Sequence, residues 1–157
     1  MLVKTYSSTV EGIDARTITV EVNLSPGIRF LVVGLPDNAV RESQQRITAA
    51  FANNGFRMPG FNILVNMAPA DMRKVGSHYD LPIAVGILAA SKQVAAEGTL
   101  ERYVLIGELS LDGTLLPVKG ALPIAVQARK EGFEGIVLPE ANAREAAVVQ
   151  NLKVFGV

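Results

Sequence analysis

The sequence predicts an α/β fold in which a mixed β-sheet is covered by packed helices. Residues 15–24 alternate apolar and polar side chains with the period of two that is typical of a half-buried strand. An apolar strand at 63–67 and a nearly all-apolar stretch at 80–90, separated by a polar loop, predict a buried strand and a buried helix. In the second half of the chain, strand and helix patterns alternate, which favours helices lying on a sheet.

Composition supports one folded domain over residues 1–157. Of the 157 residues, 49% are hydrophobic and 19% are charged, which is enough apolar material for a core and argues against disorder. The 15 basic residues balance the 15 acidic ones, so only a local patch could attract nucleic acid. We therefore expect a compact protein with no overall electrostatic preference for polyanions.

Several chemistries are excluded or made improbable by missing residue types. The chain has no cysteine, which excludes disulfides and thiolate chemistry, and its single histidine, His78, predicts that no zinc site is present. Met1 is not followed by an apolar signal segment, and no apolar run reaches membrane length. We expect a soluble cytoplasmic domain with no resident metal and no membrane partner.

The first quarter of the chain is predicted to be β-structure. Residues 1–6 form a short candidate strand, and residues 15–24 form the half-buried strand. The turn formers Ser25, Pro26 and Gly27 precede residues 28–33, an apolar run that predicts a more buried strand. Together these features predict a hairpin between 15–24 and 28–33.

The next element is predicted to be a helix from Asp37 to about Asn53. Asp37 follows Gly-Leu-Pro and is the expected N-cap, while Asn53-Asn54-Gly55 is a C-terminal stop signal. Glu42 and Arg46 are four residues apart, a spacing that predicts an ion pair on the exposed side of the helix.

Residues 62–92 form the centre of the predicted structure. A strand at 63–67 leads through a polar loop at 68–79 into a helix that begins at Asp80. Asp80 is the expected helix cap, and Pro82 is tolerated in the first turn because the N–H groups there have no helical partner. A loop held between a buried strand and a buried helix is a common place for binding or catalytic residues.

The remaining chain is predicted to alternate strands and helices. Asp112-Gly113 predicts a tight hairpin, and Pro123 lies in the first turn of a helix that starts at Lys119-Gly120 and stops at Gly132. The predicted elements are strands at 104–111, 114–117, 136–138 and 152–155, with helices at 119–132 and 140–149.

Two blocks of sequence carry a resemblance to a known family. VVGLPDNAVRESQQRI and VNMAPADMRKVGSHYDLPIAVGILAAS resemble the N-terminal domain of the Mg-chelatase-like AAA+ ATPases of the ComM/YifB family. IGELSLDGTLLPVKGALPIAVQARKEGFEGIVLPEAN resembles that family and also the proteolytic domain of Lon. The resemblance covers essentially the whole chain. It implies the ribosomal protein S5 domain 2-like fold, which Lon and the RadA C-terminal domain share.

The resemblance also implies a larger protein. In the family this domain precedes an AAA+ module that binds ATP and Mg²⁺ and assembles into hexameric rings, and ComM is implicated in DNA branch migration during natural transformation. The present chain contains no Gly-x-x-x-x-Gly-Lys-Ser/Thr sequence, and its closest approach, Gly55 to Gly60, has no lysine to reach a phosphate. ATP and Mg²⁺ are therefore expected in the AAA+ module and not in this domain.

Lon-type proteolysis requires a serine before the buried helix and a lysine in the first turn of the helix after the Asp-Gly hairpin. The resemblance places His78 at the serine position and Pro123 at the lysine position. Proline cannot act as a base, while Ser77 and Lys119 are displaced from the matching places. We therefore expect no catalytic residues.

Five basic residues are candidates for contact with nucleic-acid phosphates in a ring pore: Arg41, Arg46, Arg73, Lys74 and His78. An ordinary solvated face or a subunit contact is the favoured alternative, because no aromatic residues are interleaved with them. Asp71 and Asp80 could suggest a carboxylate pair, but Asp80 is better explained as the helix cap.

Three hypotheses follow from the sequence. The first is a non-catalytic accessory domain of a DNA-processing AAA+ ATPase, whose partners are its own AAA+ module, neighbouring subunits and DNA. The second is a Ser-Lys peptidase, against which the residues at the dyad positions argue. The third is a domain that docks a protein client or a metal-chelation substrate.

Overall fold

A computed structural model describes all of residues 1–157 and contains nine strands and five α-helices. Seven strands form the central sheet, in the spatial order β3-β4-β2-β1-β5-β8-β9, and β6 and β7 form a separate two-stranded sheet. The strands are β1 (Leu2–Glu11), β2 (Asp14–Ser25), β3 (Phe30–Val33), β4 (Asn62–Ala68), β5 (Tyr103–Leu105), β6 (Glu108–Leu109), β7 (Leu115–Leu116), β8 (Gly135–Leu138) and β9 (Lys153–Gly156).

The sheet is mixed, which confirms the predicted α/β class. Strands β1 and β2 form an antiparallel hairpin and β2 also pairs antiparallel with β4. The pairs β3–β4, β1–β5, β5–β8 and β8–β9 are parallel. The Asp-Gly hairpin is also present, as β6 and β7.

The predicted hairpin between residues 15–24 and 28–33 is wrong. Strand β2 pairs with β1 and β4, and β3 lies beyond β4 at the edge of the sheet. Asn62 accounts for this path, because its side chain donates to the Pro26 carbonyl (3.0 Å) and accepts from the Arg29 N–H (2.8 Å). These bonds hold the connection against the start of β4. At the edge, Leu31 and Val33 are exposed, so β3 is less buried than predicted.

The helices are α1 (Asn38–Arg41), α2 (Ser43–Asn53), α3 (Asp80–Ala90), α4 (Ala121–Lys130) and α5 (Ala143–Ala146). Asp37 caps α1 as predicted, since its Oδ1 accepts from the Val40 N–H at 2.8 Å. Glu42 separates α1 from α2, so the single predicted helix is two. The predicted helix at 140–149 is short and begins with a 3₁₀ turn. None of the helices has the length and apolar content needed to cross a bilayer.

The helices cover opposite faces of the two halves of the sheet. Helices α2 and α3 pack on the β2–β4 half, against side chains that include Ile18, Val20 and Val65. On the other face, α4 packs over β2, β1 and β8 and α5 packs over β9, with Ala15, Val104 and Ile136 in the core beneath them. Each face therefore has one end of the sheet without a helix over it. On the half carrying β3 and β4, the uncovered side presents Leu31, Val33 and Leu64.

Close approach of two strands gives a first prediction. Gly34 follows β3 with φ of +107°, and a Cβ at this position would lie 2.1 Å from the backbone carbonyl oxygen of Met67. Gly34→Ala should lower the free energy of unfolding by about 3 kcal/mol, because it adds a backbone clash to a strained φ.

The matched control is Gly12→Ala. Gly12 has φ of +68° and no heavy atom within 4 Å of the point that a Cβ would occupy, so the change carries backbone strain alone. It should cost about 1 kcal/mol. Urea denaturation measures both losses, and equal losses for the two variants would contradict the close approach of β3 and β4.

Candidate functional site

The loop between β4 and α3 is fastened to the start of α1. The backbone N–H of Lys74 donates to the Leu35 carbonyl and the Asp37 N–H donates to the Lys74 carbonyl, both at 3.0 Å. Asp37 also uses its second carboxylate oxygen, Oδ2, to accept from the Gly76 N–H at 3.1 Å. One carboxylate therefore caps a helix and holds the loop. The loop has a defined shape because these backbone groups are paired.

Lys74 is not a surface residue. It is completely buried, and its Nζ donates to the carbonyl oxygens of Gly34 (2.9 Å) and Pro69. Burial lowers the pKa of Lys74, because the charged ammonium is removed from water. The candidate phosphate contact predicted at Lys74 is therefore incorrect, since its side chain anchors the loop internally and does not face a ligand.

Arg46 and Asp80 form a buried ion pair. The Arg46 Nε lies 2.6 Å from Asp80 Oδ2, and its Nη2 lies 3.0 Å from Oδ1, so the contact is bidentate. The Asp80 side chain is only 1% exposed. Arg46 also donates to the Ala39 carbonyl at 2.7 Å, and Asp80 Oδ2 accepts from the Leu109 N–H at 3.1 Å. The pair thus joins α1, α2, α3 and β6.

This geometry corrects two predictions. Arg46 pairs with Asp80, 34 residues away, and not with Glu42 one helical turn earlier. Asp80 is the first residue of α3, and its carboxylate accepts from Arg46 and Leu109 in place of the N–H groups of its own helix. Both side chains turn inward because a buried carboxylate requires a cation or several donors.

The pKa values of the pair reveal two opposing effects. Burial raises the pKa of Asp80 above its usual value, although the hydrogen bonds from Arg46 and Leu109 act to lower it. The hydrogen bond to Asp80 raises the pKa of Arg46, so the guanidinium stays charged. The carboxylate thus incurs a large desolvation cost that the arginine only partly offsets. The pair fixes the arrangement of the helices more than it adds net stability.

His78 occupies the loop position where the family resemblance places a nucleophile, and Ser77 directly precedes it. The Nε2 of His78 lies 3.0 Å from the Ser8 carbonyl oxygen, so this nitrogen carries the proton and donates it. Burial lowers the pKa of His78, which keeps the ring neutral. The Ser77 hydroxyl donates to the Glu108 carboxylate. The structure therefore gives Ser77 an acidic partner, whereas Lys119 is exposed and Pro123 lies inside α4.

Of the five predicted nucleic-acid contacts, the structure leaves two in solvent. Arg41 and Arg73 are exposed, and neither guanidinium makes an ion pair or a hydrogen bond within the chain. Arg46, Lys74 and His78 are held by internal partners, so the structure does not bring the five together as one basic surface. The prediction missed Glu108, whose only sequence signal is its place directly after a strand.

The chain is similar to proteins of a known family. Residues 20–142 match the family model described as subunit ChlI of Mg-chelatase. The chain is 44% identical over 145 residues to protein YifB of Salmonella typhimurium, which covers 92% of the chain and 28% of YifB. It is 41% identical over 151 residues to competence protein ComM of Haemophilus influenzae, covering 96% of the chain and 29% of ComM.

An uncharacterized protein of Mycobacterium tuberculosis is 37% identical over 155 residues, which cover 98% of the chain and 31% of that protein. The chain therefore spans about 30% of the length of the curated relatives it matches.

Breaking the buried pair gives a second prediction. Arg46→Met leaves the Asp80 carboxylate buried without its cation, so the free energy of unfolding at pH 7 should fall by about 3 kcal/mol. Arg41→Met is the control, since Arg41 is exposed and unpaired. It should change stability by less than about 0.5 kcal/mol.

The same variant predicts a pH dependence. Without Arg46 the pKa of Asp80 rises further, while the unfolded carboxyl keeps a pKa of about 3.9. Between these two values the folded state binds more protons than the unfolded state, so stability increases as the pH falls. The deficit of Arg46→Met should shrink between pH 7 and pH 5 in chemical denaturation. A deficit that stays constant or grows would show that Asp80 is not the group left uncompensated.

Proposed function

Because this chain belongs to the family of the Mg-chelatase subunit ChlI, we propose that it is a non-catalytic accessory domain of a Mg-chelatase-like AAA+ ATPase. In this role it assists assembly of the ATPase ring and engages DNA. The observation that carries the proposal is the occupancy of the nucleophile position by His78, whose ring is used to bind the Ser8 carbonyl. The loop keeps its shape without a reactive group.

The neighbouring groups support a non-catalytic role. Serine attack requires a base near neutral pKa that accepts the hydroxyl proton. Ser77 donates instead to the Glu108 carboxylate, and no histidine or lysine accepts its proton. Pro123 has no side-chain base to offer. No contact of Ser77 therefore supports a peptidase activity of this domain.

The segment from Gly55 to Gly60, the closest approach to a phosphate loop in the sequence, differs from one in its place in the fold. A phosphate loop of the Walker type runs from a strand into the N-terminus of a helix, where N–H groups face the phosphates. The segment from Gly55 to Gly60 does the reverse, since it follows the end of α2 and leads into β4. We therefore assign nucleotide binding to the AAA+ module of a longer protein. The proposed partners of this domain are that module and the neighbouring subunits of a hexameric ring.

DNA engagement is supported by two exposed arginines and by one relative. Arg41 and Arg73 are exposed, and a guanidinium without an internal partner binds phosphate readily. One relative is named a competence protein, which suggests a role in natural transformation. We extend the proposal to DNA branch migration in the cytoplasm, with the domain guiding DNA into the ring.

The test is fluorescence anisotropy of the isolated domain with labelled single-stranded and forked DNA across a salt series. The double variant Arg41→Gln/Arg73→Gln should weaken binding and reduce the slope of log K against log salt by about one to two, since up to two phosphate contacts are lost. Lys119→Gln/Lys130→Gln is the control with the same loss of charge at exposed positions elsewhere. It should change the slope less.

The outcomes separate the hypotheses. No binding at low salt would remove the DNA part of the proposal and leave ring assembly, which sedimentation of the longer protein with and without the domain would measure. Cleavage of casein that disappears in Ser77→Ala would overturn the non-catalytic assignment. Capture of one protein client in place of DNA would favour a docking domain.

A further inference from the structure

The half of the sheet formed by β5, β8 and β9 has one face without a helix. In the pairing register Tyr103 lies opposite Gly135, which lies opposite Lys153, and Val137 lies opposite Phe155. Residues that are paired, or two apart on one strand, share a face of a sheet. Tyr103, Lys153 and Phe155 therefore lie on a common face. The alternate residues, including Val104, Ile136 and Val154, point the other way into the core beneath α4 and α5.

Two aromatic rings stand on this uncovered face. The centroids of Tyr103 and Phe155 are 5.8 Å apart and their planes meet at 74°, an edge-to-face arrangement that favours a fixed orientation of both rings. Phe155 is 44% exposed at the edge strand. Between the rings the sheet carries Gly135, where a Cβ would lie 3.0 Å from the Tyr103 ring. The glycine lets the tyrosine ring lie close to the strand and leaves the phenylalanine accessible.

Two cations border the rings. The Arg102 guanidinium lies 5.9 Å from the Tyr103 ring centroid. Arg102 and Lys153 share a single carboxylate, Glu134, at 3.1 Å and 2.9 Å. The hydrogen bond to Glu134 raises the pKa of Lys153, so the ammonium stays charged. Arg102 and Lys153 are exposed, and the two cations share the single carboxylate of Glu134.

We propose that this surface, formed by Arg102, Tyr103, Lys153 and Phe155, binds single-stranded nucleic acid. A base stacks on the exposed ring of Phe155, Tyr103 orients that ring, and Arg102 and Lys153 contact the flanking phosphates. Exposed aromatic rings beside basic side chains on a sheet are the combination that binds unpaired bases without sequence preference. The inference rests on the proposed DNA engagement and names its ligand class and location.

Comparison with the uncovered surface of β3 and β4 explains why nucleic acid is the ligand proposed for the β5–β8–β9 face. There the exposed residues of β3 and β4 are aliphatic: Leu31, Val33 and Leu64. Aliphatic side chains offer no π-face for a base and suit a protein contact. Only the β5–β8–β9 face combines an exposed ring, Phe155, and a half-buried ring, Tyr103, with arginine and lysine. Its two rings, Tyr103 and Phe155, are far apart in the chain and meet only in the folded sheet, so no local pattern of residues shows them interleaved with basic ones.

The experiment compares two oligonucleotides with wild-type protein and matched variants. The probes are a labelled oligothymidine about 15 nucleotides long and an oligomer of the same length and charge in which every base is replaced by an abasic site, since a site spans about 4–16 nucleotides. Phe155→Ala should weaken binding of the thymidine probe about tenfold through lost stacking, with little effect on the abasic probe. Phe155→Tyr should bind as the wild type does. Phe61→Ala, which also removes an exposed ring, should have no effect.

Lys153→Gln should weaken binding of both probes and lower the salt slope by about one. Amide chemical-shift mapping of the wild-type domain with the thymidine probe gives a readout that needs no variant, and the largest shifts should fall on residues 102–105 and 153–156. Shifts elsewhere, equal affinity for the two probes, or equal effects of Phe155→Ala and Phe61→Ala would overturn the site. If binding instead depends on Arg41 and Arg73 alone, this site is wrong but DNA engagement stands. If the wild type binds neither probe at low salt, both fail.

Discussion

The contact between Arg46 and Asp80 is the constraint on which the loop region of this domain depends. It draws together α1, α2, α3 and β6. The loop at 69–79 connects β4 to α3 and is bonded to the start of α1, so its two attachments are fixed by the same contact. A hydrophobic contact could hold the same elements together but would permit them to slide. A bidentate arginine–carboxylate pair with two further backbone hydrogen bonds permits one arrangement. The ion pair thus contributes mainly by specifying one arrangement of these elements, although its formation requires desolvation of the Asp80 carboxylate.

The loop before α3 is held in a defined shape by bonds to the elements around it. Lys74 donates to two carbonyls, His78 donates to Ser8, and the Gly76 N–H donates to Asp37 at the start of α1. Two loop groups lack such bonds: Arg73 is exposed, and the buried Tyr79 hydroxyl has no hydrogen-bond partner. A reactive site requires at least one group that is positioned but not satisfied, so that a substrate can complete it. Under the proposed non-catalytic role, the loop is part of the scaffold. Functional contacts are then expected on side chains that the scaffold leaves exposed.

Much of the fold could be predicted because the relevant signals are local. The alternation in β2, the apolar run of α3, the Asp37 cap and the Asp-Gly turn each depend on neighbouring residues, and each is present. The failures concern long-range choices. No local pattern shows that β3 lies on the far side of β4 from β2. Likewise, none shows that Arg46 pairs with Asp80 and not with Glu42. For the same reason the buried state of Lys74 was missed, since a lysine in a polar loop normally remains in water.

The placement of helices on opposite faces of the two sheet halves has a geometric consequence. A sheet covered along one whole side has a single bare surface, and any partner must compete for it. Here the bare areas lie at opposite ends of the sheet and point in opposite directions, one aliphatic around Leu64 and the other aromatic around Phe155. Two binding partners of different chemistry can therefore contact the two bare areas at the same time without touching each other. A small domain built in this way has the geometry of a connector, with the sheet itself as the rigid spacer.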